Sequence, residues 1–164
     1  MSKLLTALVT FFVLSTSFTH AETALSAAFL VVDGAVTTPL SLTQSDFQAL
    51  PHSNISITDS NGQKSEYSGV DLALLLTKAG TPLKQNLKGA DVAKYLHAQG
   101  ADGFVAIFSL PEFDQGAFLV ADAVNGTPLP TGSGPLQIIS PNETRRSRWV
   151  KQLSILRIEK SATE

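Results

Sequence analysis

Three of the chain's four arginines and its only tryptophan fall inside five residues, Arg145-Arg146-Ser147-Arg148-Trp149. A guanidinium is a rigid fork of donors suited to planar acceptors and anions, and an indole beside it offers a flat face for stacking. Read as chemistry, the cluster is an edge for a flat ligand, with Trp149 as the platform and Arg145, Arg146, Ser147 and Arg148 as donors. The same residues also suit a solvated basic turn, its arginines paired with some of the fourteen acids while Trp149 plugs the core. Both readings stay open. Asp59, Asp102, Asp114 and Asp122 sit near expected turns or strand ends, where a carboxylate could take the two N–H groups of a guanidine-like ligand edge. Spacing does not choose among them.

Other chemistries lack their residues. There is no cysteine, so no disulfide, thiolate ligand, redox pair or haem attachment is available. Beyond residue 21 the chain has two histidines, His52 and His97, and no methionine, and no dedicated transition-metal site is expected. His97 reads as a strand residue and His52 as a loop residue after Pro51. Neither sits in a nucleophile-elbow context, and Gly132-Ser-Gly134 is a turn before Pro135, not a phosphate loop. The formal charge of −2 gives no basic field for nucleic acid.

Lys3, the apolar run Leu4 to Leu14 and the small residue Ala21 have the form of a secretory signal over residues 1–21, too short for a stable membrane anchor. The remainder, residues 22–164, fits one domain. Asn54-Ile-Ser56 and Asn142-Glu-Thr144 match a glycosylation pattern that matters only in a eukaryotic secretory route; the compact plan points to a bacterial periplasm.

Strands must carry these groups. Leu25 to Val36 reads as a strand turning at Asp33-Gly34, and Thr43-Gln-Ser-Asp46 as a capping box opening a short helix that Pro51 ends. Ile55 and Ile57 alternate as in a strand, and Ser60-Asn-Gly62 closes a hairpin with the segment to Tyr67. Val70 to Ala79 is a helix by its leucine stripe, with Gly80 as the stop. Leu87 to Gln99 fits helix or strand. Phe104–Phe108, Ala117–Ala121, Leu136–Ile139 and Ile155–Ile158 complete the strands, and Asn125-Gly126 marks a turn. The expected class is α+β: a single compact domain with mixed sheets and a few short helices.

The order of Val31-Val-Asp-Gly-Ala-Val36, Leu42-Thr-Gln-Ser-Asp-Phe47, Tyr67-Ser-Gly-Val-Asp-Leu72, Ala101-Asp-Gly-Phe104, Val124-Asn-Gly-Thr-Pro-Leu-Pro130, Gly134-Pro-Leu136 and Arg148-Trp-Val-Lys-Gln-Leu153 resembles the molybdopterin-binding domain of the sulfite oxidase family, from about Leu25 to Glu159. Catalytic members hold molybdenum through a cysteine in the region that here reads Thr58-Asp59-Ser60. A cysteine-free, secreted version is similar to the periplasmic pterin-binding regulators of the PruR type. That resemblance implies a non-enzymatic receptor for a pterin of the neopterin or monapterin type, with no catalytic cofactor and no molybdenum. It implies a partner too, the periplasmic domain of an inner-membrane cyclic-di-GMP enzyme, and a part in biofilm control. On this reading Trp149, Tyr67 or Phe108 stacks on the ring, Arg145, Arg146 or Arg148 donates to it, and Asp59 or Asp122 accepts from its amino edge. Two alternatives stand beside it: a molybdopterin oxidoreductase subunit lacking the cysteine, and a protein-interaction module with an empty pocket.

Overall fold

A computed structural model of the chain describes residues 28–114, 117–141, 143 and 146–161. The expected signal, residues 1–21, and Arg145 lie outside the described residues. Two sheets make the frame. The first has the order β2 (Leu40–Leu42), β1 (Leu30–Gly34), β10 (Leu153–Lys160), β5 (Lys94–Gly100), β6 (Val105–Ser109). Only β1 and β10 run parallel, bringing the two ends of the described chain side by side with Val31 opposite Ile155. The second sheet has the order β3 (His52–Thr58), β4 (Lys64–Asp71), β7 (Leu119–Val124), β8 (Thr127–Pro128), with β9 (Gln137–Ile139) also on β7. The expected mixed-sheet α+β domain is what forms.

Alternate residues of both sheets share one core. Leu30, Val32, Leu96, Ala98, Ala106, Phe108, Leu156 and Ile158 enter it from the first sheet, and Val70, Val120 and Ile138 from the second. This is the period-two pattern of strands with one face turned inward. Phe47 of α1 (Gln44–Gln48) and Leu72, Leu75 and Leu76 of α2 (Leu72–Lys78) fill the same core. The capping box forms as expected: the Thr43 side chain accepts from Asp46 N–H, and Asp46 accepts from Thr43 N–H at 2.9 Å. Asp71 caps α2 through Ala73 N–H, so the helix begins two residues later than the leucine stripe suggests. Gly80, at φ +78, ends it in the left-handed region. The ambiguous stretch from Leu87 divides into a 3-10 turn, Gly89–Ala93, and β5. His52 opens β3 instead of lying in a loop; its ring meets Leu50 O at 2.8 Å and Asp122 Oδ2 at 3.3 Å.

The second sheet is buried on its other face as well. Tyr67, Leu119, Ala121, Leu129, Ile139 and Trp149 form a separate cluster there, over which Ile55, Ile57 and Val124 pack. Leu119 and Ala121 face this cluster while Val120 between them faces the main core, so β7 reads as an unbroken apolar run rather than an alternating one.

Arg148 closes the free edge of the first sheet. Its Nη1 donates to Ile107 O (3.2 Å), Nη2 to Glu112 Oε2 (2.9 Å) and Nε to Glu143 Oε1 (2.6 Å), and its Cζ lies 4.6 Å from the Phe108 ring centroid. Glu112 in turn accepts from Ser109 N–H at 2.9 Å. The outward carbonyl of Ile107 and amide of Ser109, which could template another strand, are therefore occupied.

Burial pushes the Glu112 carboxyl up, but the Arg148 guanidinium and the Ser109 N–H together outweigh it and hold the group below its ordinary value. A carboxylate depressed in the fold contributes stability above its unfolded pKa and loses it as pH falls through the folded one. Urea unfolding across the acid range should therefore show a weaker loss of stability with falling pH in Glu112→Gln than in the parent chain. Equal acid slopes would mean that the bridge carries none of it. Gly69 sits where β4 meets β7, and a Cβ there would strike the Val120 carbonyl. Gly69→Ala should lower stability by about 1–3 kcal/mol or more in the same assay, the cost of overpacking against backbone.

Candidate functional site

The turn that joins β3 to β4 is built by Asp59. Its Oδ1 accepts from Asn61 N–H and Gln63 N–H, each at 2.9 Å, and Gly62 takes φ +80 to complete the reversal. Across from this turn stands a wall of Pro141, Glu143, Arg146 and Trp149. Trp149 anchors it: the indole Nε1–H donates to Ser140 O at 3.1 Å, and the ring meets Tyr67 edge to face at 5.6 Å. Only 6% of Trp149 is exposed.

Between turn and wall lies a cleft of about 730 Å³, within the roughly 300–1,000 Å³ usual for small-molecule sites. Thr58, Asp59 and Ser60 form one wall, and Glu143, Arg146 and Trp149 the other. The Arg146 guanidinium lies over the indole, its Cζ 4.7 Å from the ring centroid. A flat ligand entering here meets that guanidinium plane first, and the indole supports it from behind. Glu143 spends Oε1 on Arg148, while its Oε2 is shielded from solvent and has no hydrogen-bond partner among the described residues. A buried carboxylate oxygen without a donor is costly to leave unmatched, and the Glu143 side chain would have to turn this oxygen toward the cleft to take a ligand N–H.

The structure brings Asp59, Arg146 and Trp149 of the sequence-predicted site to one cleft and separates the others. Tyr67 supports Trp149 from within the cluster and does not line the cleft. Ser147 and Arg148 flank the wall; Ser147 faces a neighbouring smaller cleft, and Arg148 is committed to the sheet edge. Phe108 is fully buried in the main core beneath Arg148, because its strand alternates and Phe108 takes an inward position. Asp122 lies at a separate cleft of about 450 Å³ with Phe29, Gln44 and Gln48, beside His52. Glu143 was missed as an acceptor. Its signal in the sequence was a carboxylate five residues before Arg148, which reads equally as an ordinary ion pair.

The donors at the cleft do not fit a thiolate-bound molybdenum centre. Thr58 and Ser60 offer hydroxyls, one Asp59 oxygen is occupied by its own turn, and the chain has no cysteine. Hard oxygen donors do not replace a soft sulfur ligand at such a metal. Among the described residues no group of three or more His, Cys, Asp and Glu side chains is placed to hold a metal ion.

The described architecture is similar to a solved structure of the sulfane dehydrogenase SoxCD from Paracoccus pantotrophus, with a TM-score of 0.63 and 23% sequence identity. The match covers 79% of this chain and 37% of that one, so the present chain spans well under half of its length, and the likeness is one of fold. No curated protein matches the sequence. The family model described as oxidoreductase molybdopterin binding domain matches residues 20–164, and the chain belongs to that family.

Proposed function

We propose that the protein is a non-catalytic periplasmic pterin receptor, in which the family's cleft holds the organic heterocycle without the metal. The observation that carries this reading is the composition of one cleft. Glu143, with one carboxylate oxygen that has no partner among the described residues, and an Arg146 guanidinium on Trp149 stand opposite a wall of hydroxyls where the resemblance places a metal-binding thiolate. A pterin of the neopterin or monapterin type suits these groups chemically. Its ring lies against the Arg146 guanidinium plane, and its amino and ring N–H edge donates to the Glu143 carboxylate. The hydroxylated side chain finds partners in Thr58 and Ser60. The reporting role follows from the resemblance to PruR-type regulators: the receptor meets the periplasmic domain of a membrane-bound cyclic-di-GMP enzyme and so influences biofilm formation.

Trp149 is the only tryptophan, so its fluorescence reports the cleft. Titration with neopterin or monapterin should quench it saturably. Glu143→Gln should weaken binding by about 1.5–3 kcal/mol, the usual worth of a hydrogen bond to a charged group. Arg146→Ala should cost about 1–2 kcal/mol for the lost cation–π plane, while Asp122→Asn, in the other cleft, leaves the affinity unchanged. Absence of saturable quenching, or loss of affinity only in Asp122→Asn, would contradict this reading. So would stoichiometric molybdenum in protein purified from its native host, which would point instead to an oxidoreductase subunit.

A further inference from the structure

Four large apolar side chains are exposed among the described residues, and three of them, Phe104 (44%), Val105 (40%) and Ile107 (47%), lie within four positions on and just before β6. Their alternates, Ala106 and Phe108, face the core, so Val105 and Ile107 stand on the outer face of the first sheet at its free edge. Phe104 continues the patch into a second, smaller cleft of about 240 Å³, where it meets Lys151, Arg146, Trp149 and one carboxylate, Asp102. Neither Arg146 nor Lys151 has an ion-pair partner among the described residues, whereas Arg148 is balanced by Glu112 and Glu143. An apolar patch is thus bordered by two cations without an ion pair among the described residues and by one carboxylate, Asp102, whose Oδ1 accepts from Phe104 N–H at 2.9 Å, on a chain whose formal charge is −2.

We infer that this patch docks an acidic segment of another protein, its apolar side chains covering Phe104, Val105 and Ile107 and its carboxylates meeting Lys151 and Arg146. The charge pattern selects the occupant. A second copy presenting the same face across a two-fold axis would set like cations against each other. Strand addition is also opposed, because Arg148 and Glu112 already occupy Ile107 O and Ser109 N–H; the partner lies on the face instead. Arg146 and Trp149 line both this cleft and the larger one. A ligand that engages the Arg146 guanidinium changes a cation available to the partner, which couples docking to ligand. That coupling rests on the pterin reading; the docking surface does not.

The test is photo-crosslinking in the native host, with p-benzoylphenylalanine replacing Ile107 in the full chain and the crosslinked peptide sequenced by mass spectrometry. The expected product is an adduct to a different protein through a segment rich in Asp and Glu. Its yield should fall about five-fold or more when Lys151→Glu is added and persist with Lys151→Arg, as for a charge pair at an interface rim. Yield should also change on adding monapterin. An adduct between two copies of this chain, one through a segment lacking carboxylates, one indifferent to Lys151→Glu, or no adduct at all would overturn the proposal. Pterin quenching of the purified crosslinker variant separates the two readings. A lost adduct with quenching intact removes the docking surface alone. An intact acidic adduct without quenching removes the pterin reading and the coupling and leaves the surface standing.

Discussion

The indole of Trp149 holds the functional end of the molecule together. Its N–H is bonded to Ser140 O and its ring stands edge-on to Tyr67, so one side chain ties Ser140 to the outer face of the second sheet. Without it the outer face of β7 and β9 would be open to water, with Leu119, Ala121 and Ile139 uncovered. Burying a side chain of this size contributes about 3–5 kcal/mol, judged by what truncation to alanine usually costs. Of the two readings of the arginine and tryptophan stretch, the core plug describes where Trp149 sits, and the ligand edge is the one proposed for Arg146. Trp149 is a core plug, and because it is fixed, Arg146 on top of it is placed as a flat cationic surface at the mouth of the cleft.

The two described arginines of the cluster have different tasks, and chemistry explains the division. Arg148 uses each of its three guanidinium nitrogens on one edge of the first sheet, where two carboxylates and a carbonyl accept from it. Arg146, two residues earlier on the same 3-10 turn (Arg146–Arg148), lies over the indole and lines the cleft. Glu143 stands between them, one oxygen engaged and one unmatched. On the proposed reading, a cationic plane held in place beside the Glu143 carboxylate keeps the ordering cost of binding low, and a soft metal has no sulfur to hold it there.

Much of the frame was legible in the sequence because local signals agreed with one another. The capping box at Thr43 and Asp46, the stop at Gly80, the hairpin at Ser60 to Gly62 and the turn at Asn125 and Gly126, both at positive φ, each formed where its residues predict. Misplaced ends had local causes: Asp71 capped α2 late, and Gly89 to Ala93 closed a 3-10 turn before β5 could begin. The site was less legible. Arg146 and Arg148 look alike in sequence, and only the fold sends one to a sheet edge and the other to a cleft. Phe108 was marked as a stacking candidate by its type, and its inward position depends on the register of β6 with β5. The orphaned oxygen of Glu143 is a property of three-dimensional surroundings, with no signature along the chain.

The central claim, that this cleft receives a pterin, is tested most directly by mapping amide and indole resonances in two-dimensional nuclear magnetic resonance while neopterin is added. The account predicts saturable shifts in the indole N–H of Trp149 and the amides of Thr58 to Ser60 and Glu143. No shifts, or shifts gathered around Asp122, Gln44 and Gln48 instead, would contradict it.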